Sequence, residues 1–285
     1  MPSTPITHVS DTARWVAMYR AMETDRPDAL FRDPFARRLA GEKGMEIVRT
    51  MRQVKSWAWP HIVRTAVFDE LILRCVGEGA DAVLNLAAGL DARPWRLDLP
   101  PSLTWIQVDY PDMLAFVRVQ LAKEKPRCAL QWEPADLADA AQRRALLARV
   151  GAAHRKVLVV SEGLLIYLGP ENAGALADDL HAQPTFQRWL FDIASPRLLK
   201  MMRRRTGRQM TEANAAFLFA PAEGTAFFAP HGWRELEFRG SWPEAIRLKR
   251  LPPLYHLFRL FTIVRSRKAR EGWNRFAGTA LMERT

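Results

Sequence analysis

A doubly wound α/β fold with a parallel sheet is predicted by three features of the chain. Short apolar runs alternate with helical segments through its middle. The first run stops at a small-residue turn, Ala87-Ala88-Gly89, and later runs end at or just before carboxylates. Open α/β sheets bind ligands outside the carboxyl ends of their strands, so the turn and the carboxylates put a site on that edge.

Asp11 to Met22 is an amphipathic helical run, with Trp15, Met18, Tyr19 and Met22 at helical spacing and Ser10 or Asp11 as its cap. The stretch Arg26 to Pro34 breaks it, and Asp33-Pro34 opens a second helix expected to end at Gly41. Apolar residues recur at three and four from Ile62 to Val76, which gives a third helix. These helices precede the sheet and are expected to form a cap over residues 1–78, leaving 79–285 as the core. The first strand, Ala82 to Leu86, is mostly apolar, as a strand buried on both faces must be. The alternation then runs strand Leu103 to Val108, helix Pro111 to Ala122, strand Ala129 to Trp132 and helix Asp139 to Val150. It continues with strand Lys156 to Ser161, helix Pro170 to His181 and strand Phe186 to Ile193. Past Ser195 come an Arg-rich helix with Arg203-Arg204-Arg205, a Phe-rich stretch (Phe217, Phe219, Phe227, Phe228) and strand-like alternation from Arg234 to Arg239. A last strand is expected over Trp273 to Met282. Residues 195–240 are expected to be an insertion that serves an acceptor.

The 285 residues are 48% hydrophobic with a mean hydropathy of −0.18, as expected of a soluble globular protein. No window approaches the roughly eighteen uncharged apolar residues of a membrane span. Met1 to His8 lacks the basic start and apolar core of an export signal, so a cytoplasmic location is expected. Cys75 and Cys128 are the only cysteines, too few for a disulfide framework and not at metal-ligand spacing, so no metal is expected. The net charge is +11; 18 Lys+Arg and 7 Asp+Glu follow Ser195, which leaves 24 of each before it. That asymmetry raises the alternative of a nucleic-acid or anionic-surface binder on a catalytically vestigial fold. The basic residues after Ser195 are scattered among Leu, Phe and Trp, however, so a solvated basic face is expected and nucleic acid is not.

A dinucleotide loop places glycine at three positions, G-x-G-x-x-G, so that a pyrophosphate can approach the backbone. Here those positions hold Ala87, Gly89 and Ala92, and Asp91 adds a negative charge. An NAD-dependent oxidoreductase is therefore the weaker reading. S-adenosylmethionine has no phosphate and carries two cationic groups that tolerate carboxylates. In this reading Asp109, twenty positions after Gly89, takes the ribose hydroxyls. The Asp136 carboxylate accepts from the adenine amine, the Leu137 N–H faces a ring nitrogen, and Glu162 faces the ammonium or the ribose.

The segments Val83 to Leu97, Val108-Asp-Tyr-Pro111, Ala135-Asp-Leu137 and Ser161 to Leu168 together resemble the leucine carboxyl methyltransferase family. Asp33-Pro-Phe35, Arg64-Thr65 and Phe276 to Arg284 extend the resemblance over nearly the whole chain. It implies a class I S-adenosylmethionine-dependent methyltransferase with a Rossmann-like, seven-stranded, mostly parallel sheet, helices on both faces and a helical N-terminal cap. Carried over, Arg64 would hold the methionine carboxylate, with Arg14 and Arg20 as possible second partners. Gly89 would make the loop contact, Asp109 would take the ribose, Asp136 and Leu137 the adenine, and Glu162 the methionine end or ribose. Arg93 would be structural, pairing near Asp91. Where the family's loop reads Gly-Ala-Gly, Ala87 replaces the first glycine, at a cost of order 1 kcal/mol if that position has positive φ. The family's known acceptors make an O-methyl transfer to a small organic acid, polyketide or phenolic metabolite the expected reaction. A carboxylate acceptor is already ionised and needs no general base; a hydroxyl acceptor needs one, and Tyr167 and His231 are the candidates.

Overall fold

The computed structural model describes residues 9–50, 54–212, 216–251 and 272–285. Met1 to His8, and with them the export-signal reading, lie outside these residues, as do Arg259, Arg265, Arg267, Lys268 and Arg270 of the basic third.

Helix α1 spans Val9–Thr24, so Asp11 sits in its first turn, where a carboxylate suits the helix dipole, rather than at its cap. At the start of α2 (Ala36–Thr50) the Asp33 carboxylate accepts the Phe35 N–H at 3.2 Å, and the Asp33 carbonyl accepts the Ala36 N–H at 3.2 Å. The expected stop at Gly41 is a kink instead: Gly41 adopts φ 63° and ψ −170°, and the helix resumes beyond it. Close packing of α2 on α1 explains the glycine that follows. A Cβ at Gly44 would stand 2.8 Å from Ala40 Cβ and 3.0 Å from the Arg14 carbonyl oxygen. Helix α3 (Val54–Gly77) runs through Pro60 and so starts earlier than its apolar spacing indicates.

The strands are β1 (Ala82–Leu86), β2 (Thr104–Asp109), β3 (Ala129–Pro134), β4 (Val157–Ser161), β5 (Phe186–Ala194), β6 (Trp233–Gly240) and β7 (Ala277–Arg284). They form one sheet in the order β3-β2-β1-β4-β5-β7-β6. The first five are parallel neighbours, and β7 runs antiparallel between β5 and β6. β6 thus belongs to the sheet although it falls inside the 195–240 stretch read as an insertion. β7 begins later than expected because Trp273 to Phe276 form a turn, closed by the Phe276 N–H donating to the Trp273 carbonyl at 3.2 Å.

Between the strands lie α4 (Arg93–Arg96), α5 (Pro111–Gln120), α6 (Ala140–Ala153), α7 (Pro170–His181), α8 (Pro196–Glu212) and α9 (Ser241–Arg247). The side chains of β4 alternate between two apolar layers. Val157 and Val159 pack with Leu146 and Leu147 of α6 and Leu176 and Leu180 of α7. Leu158 and Val160 pack with Val67, Phe68 and Leu71 of α3. α3 therefore covers a sheet face directly. Helices α1 and α2 pack elsewhere, against Leu90, Ala92 and Trp95 past the end of β1 and against Val117 of α5. That placement encloses the carboxyl edge of the sheet.

Candidate cofactor and acceptor cavity

A cavity of 1550 Å³ opens at this edge, where α1 and α3 face the ends of β1, β2, β4 and β5. It exceeds the roughly 300–1,000 Å³ of an ordinary single-ligand pocket, so there is room for a second molecule beside a cofactor.

The loop after β1 forms one wall. Ala87 and Gly89 both have positive φ, 52° and 55°. The position where a glycine was expected is therefore in the left-handed region, and Ala87 bears the strain. Ala87→Gly is expected to raise the unfolding free energy by about 0.5–1 kcal/mol, the left-handed penalty less the extra chain entropy of glycine. Urea unfolding measures this, and a destabilised variant would show that the loop stores no such strain. The Gly89 and Tyr110 N–H groups each donate to the Asp109 carboxylate at 2.7 Å, tying the loop to the end of β2. Burial pushes the Asp109 carboxyl up from the usual carboxylate range, and the two N–H donors oppose that shift.

Beneath the loop, Asp91 turns inward. Its carboxylate accepts from Asn85 Nδ2 at 2.9 Å, from the Arg93 N–H at 2.9 Å and from Arg93 Nη1 at 3.0 Å. Arg93 thus neutralises the Asp91 charge from below, and Asp91 does not set a free negative charge against a pyrophosphate. The Arg93 side chain is 4% exposed and reaches three carboxylates: Asp69 at 2.7 Å, Asp91 at 3.0 Å and Glu162 at 2.8 Å. The structural role expected of Arg93 is thus wider than a pairing with Asp91.

Glu162, one residue past β4, is held from the other side by Arg64 Nε at 2.9 Å. Burial pushes its carboxyl up, but Arg93 and Arg64 prevail and hold it at about 2. Arg64 Nη1 also donates to Asp192 on β5 at 3.0 Å, and Asp192 accepts the Gly163 N–H at 2.6 Å. Arg20 donates to Asp33 at 2.8 Å and to the Leu90 carbonyl at 2.6 Å. Arg14 lies 4.4 Å over the Phe116 ring and donates to the Ala40 carbonyl at 3.3 Å.

Asp136 and Leu137 line the cavity past the end of β3. The Asp136 carboxylate accepts the Ala138 N–H at 2.9 Å and faces the Tyr110 hydroxyl at 3.4 Å. Arg64, Gly89, Asp109, Asp136, Leu137, Glu162 and Tyr167 thus share one cavity. His231 does not line it: its Nδ1 lies 2.7 Å from Asp178 Oδ1 of α7, and its ring packs on Phe227. Tyr167 is packed against Phe217, and burial raises its phenol pKa, with Thr12 as hydrogen-bond partner.

Two lining residues escaped the sequence reading. Asp192 was hidden inside the apolar run Trp-Leu-Phe-Asp-Ile, where a carboxylate near the end of a strand was the available signal. His61 stands one turn of α3 before Arg64, and its ring stacks on Tyr19 with centroids 5.4 Å apart. Among the described residues no group of three or more His, Cys, Asp or Glu could hold a metal ion, and no helix is long and apolar enough to cross a membrane.

Comparison with known proteins bears on the same segments. A chain of Mycolicibacterium gilvum named "Putative S-adenosyl-L-methionine-dependent methyltransferase" is 33% identical over 191 residues, 61% of this chain and 62% of its own length. A Streptomyces avermitilis protein of the same description is 30% identical over 239 residues, 78% of this chain and 82% of its own. The crystal structure of a DUF574 family protein from Streptomyces avermitilis superposes with a TM-score of 0.62 over 99% of both chains at 15% identity, which is a likeness of fold. The sequence model of leucine carboxyl methyltransferases matches residues 13–181, a span that holds most of α1, the β1 loop, Arg64 and the three strand-end carboxylates. On that match, which covers more than half of its length, the chain belongs to the leucine carboxyl methyltransferase family.

Proposed function

We propose that the cavity binds S-adenosylmethionine along the ends of β1 to β4 and that the protein transfers its methyl group to a carboxylate oxygen of a small organic acid. The observation that carries the choice of cofactor is the Gly89 N–H. A phosphate-binding loop turns such a group towards its ligand, whereas here it donates to Asp109 at 2.7 Å. The residues present fit a phosphate-free, cationic ligand. In this reading Asp109 keeps lone pairs for ribose hydroxyls, and Asp136 and Leu137 take the adenine edge. The Glu162 and Asp192 carboxylates, which line the same cavity, would answer an ammonium. A guanidinium has five N–H donors, and Arg64 uses one on each of those two carboxylates, leaving others for a ligand carboxylate.

When bound, S-adenosylmethionine supplies an electrophilic methyl carbon on a sulfonium. The acceptor oxygen would supply the electron pair of the new C–O bond, and the pair of the broken C–S bond would stay on sulfur. No proton moves if the acceptor is a carboxylate. The cavity suits that case: burial holds the His61 imidazole down at about 3, which makes it a weak base, and pushes the Tyr167 phenol up, which keeps it protonated. Catalysis then rests on alignment in a water-poor site. In this reading α1 and α2 cap the site, and residues between β5 and β6 wall the acceptor. Among the described residues of the basic third, Arg239, Arg247, Arg250 and Arg275 are ion-paired to carboxylates, which favours a solvated basic face over a nucleic-acid site.

Calorimetry with S-adenosylhomocysteine and with NAD tests the reading. Micromolar binding of the first with no binding of the second is expected. NAD binding without S-adenosylhomocysteine binding would overturn it in favour of an oxidoreductase.

A further inference from the structure

The far half of the cavity has a different chemistry from the half given to the cofactor. Its wall is built by Ile166, Tyr167, Leu198, Met202, Phe217 and Phe219, all uncharged. Trp15 joins this wall, packing in the cluster formed by Ile47, Leu199 and Phe217. His61 stands where the two halves meet. Its ring centroid is 5.6 Å from that of Trp15 and 5.4 Å from that of Tyr19, while Arg64 and Glu162 are its charged neighbours on the cofactor side. Neither of its ring nitrogens has a hydrogen-bond partner among the described residues. An imidazole fixed by stacking, with both nitrogens unused in a cavity, is a group prepared for a ligand.

Resting on the methyl-transfer reading above, we propose that His61 binds the methyl acceptor, donating a ring N–H to the oxygen that does not receive the methyl, and that the acceptor's body is a flat, uncharged apolar group seated against Trp15, Tyr167 and Phe217. The acceptor class is accordingly an aryl or conjugated monocarboxylic acid. A second charge on the acceptor would lie against Phe217, Met202 or Leu198, none of which carries a charge to answer it, and burying such a charge is unfavourable. The imidazole is suited to this work because it stays uncharged at neutral pH. It donates one hydrogen bond without placing a competing cation beside Arg64.

The test separates the acceptor from the donor. S-adenosylhomocysteine is titrated into wild type, His61→Phe and His61→Gln; equal affinity for all three is expected and shows that the variants fold. Benzoate, cinnamate, 1-naphthoate and citrate are then titrated into each protein saturated with S-adenosylhomocysteine, with the histidines labelled in nitrogen-15. The aryl acids are expected to bind and to shift the His61 ring nitrogens, and citrate is expected not to bind. His61→Phe, which keeps the flat ring and loses the donor, should weaken aryl-acid binding by about tenfold, the scale of one hydrogen bond, and His61→Gln should recover part of the loss. Equal affinity in wild type and His61→Phe, no binding of any aryl acid, or preferred binding of citrate would each overturn the assignment while the donor site stands. Failure of wild type to bind S-adenosylhomocysteine would remove the donor reading and the acceptor assignment with it.

Discussion

Arg93→Met is expected to lower the unfolding free energy by about 3–5 kcal/mol, the usual result of removing one partner from a buried ion pair. For a chain of this size that is a fall in midpoint temperature on the order of 10 °C. The expectation rests on geometry: one guanidinium, almost out of contact with solvent, answers Asp69, Asp91 and Glu162 at 2.7 to 3.0 Å. Methionine matches the stem and removes the charge, so three carboxylates lose a shared counter-ion at once. Asp69 keeps Arg96 and Glu162 keeps Arg64, which limits the loss. The pH dependence supplies a second readout. Glu162 is held at about 2 in the fold, below its unfolded value of 4.5. Its contribution is therefore fully present above pH 4.5 and is lost as the pH falls from there towards 2. In Arg93→Met one of the two cations is gone, so the carboxyl titrates at higher pH and the acid-dependent loss shrinks. Urea unfolding at pH 7 and at pH 4 checks both statements. A loss below about 1 kcal/mol at pH 7 would mean that the network is a surface-like pairing of little consequence.

Asp109→Ala is expected to weaken S-adenosylhomocysteine binding by about 1.5–3 kcal/mol, roughly 10- to 150-fold, with little change in fold. Two effects contribute. The ribose hydroxyls would lose a charged acceptor, and the Gly89 and Tyr110 N–H groups would lose the oxygen atoms that position the loop. A 2′-deoxy analogue separates them. If Asp109 holds that hydroxyl, the analogue binds wild type more weakly and is correspondingly less sensitive to the substitution, so the two losses are not additive. Full additivity would assign Asp109 to the loop alone, and unchanged affinity would remove it from the site.

The inner strands were legible because a strand buried on both faces must be a short apolar run. β1 and the start of β3 fall where those runs fall, and β2, β4 and β5 differ by one residue at one or both ends. The row of strand-end carboxylates followed from the same signal. Helix ends were harder to read, for local reasons: Gly41 marks a kink inside α2 rather than its end, and Pro60 is tolerated inside α3. The direction of a side chain was not legible at all. Asp91 has the same neighbours in sequence whether it faces a ligand or Arg93, and only Asn85 and Arg93 packed below it decide the matter. His231 drew notice as a histidine among aromatics and is tied to Asp178 outside the cavity. His61 drew none, since its partners Trp15 and Tyr19 lie more than forty positions away.

The place of β7 matters to a chain still being made. β7 inserts between β5 and β6, and β6 has no other neighbour in the sheet among the described residues. Strand β5 is complete at Ala194 and β7 begins at Ala277, so 82 residues must be added before that edge can close. At synthesis rates of roughly 5–20 residues per second, the wait is on the order of 4–16 s. During it the nascent chain presents Trp189, Leu190 and Phe191 along an unpaired strand edge, a template for pairing with another copy. On the ribosome, the open flank of β5 is thus the edge left exposed to mispairing, and the emergence of Ala277 to Arg284 ends that exposure.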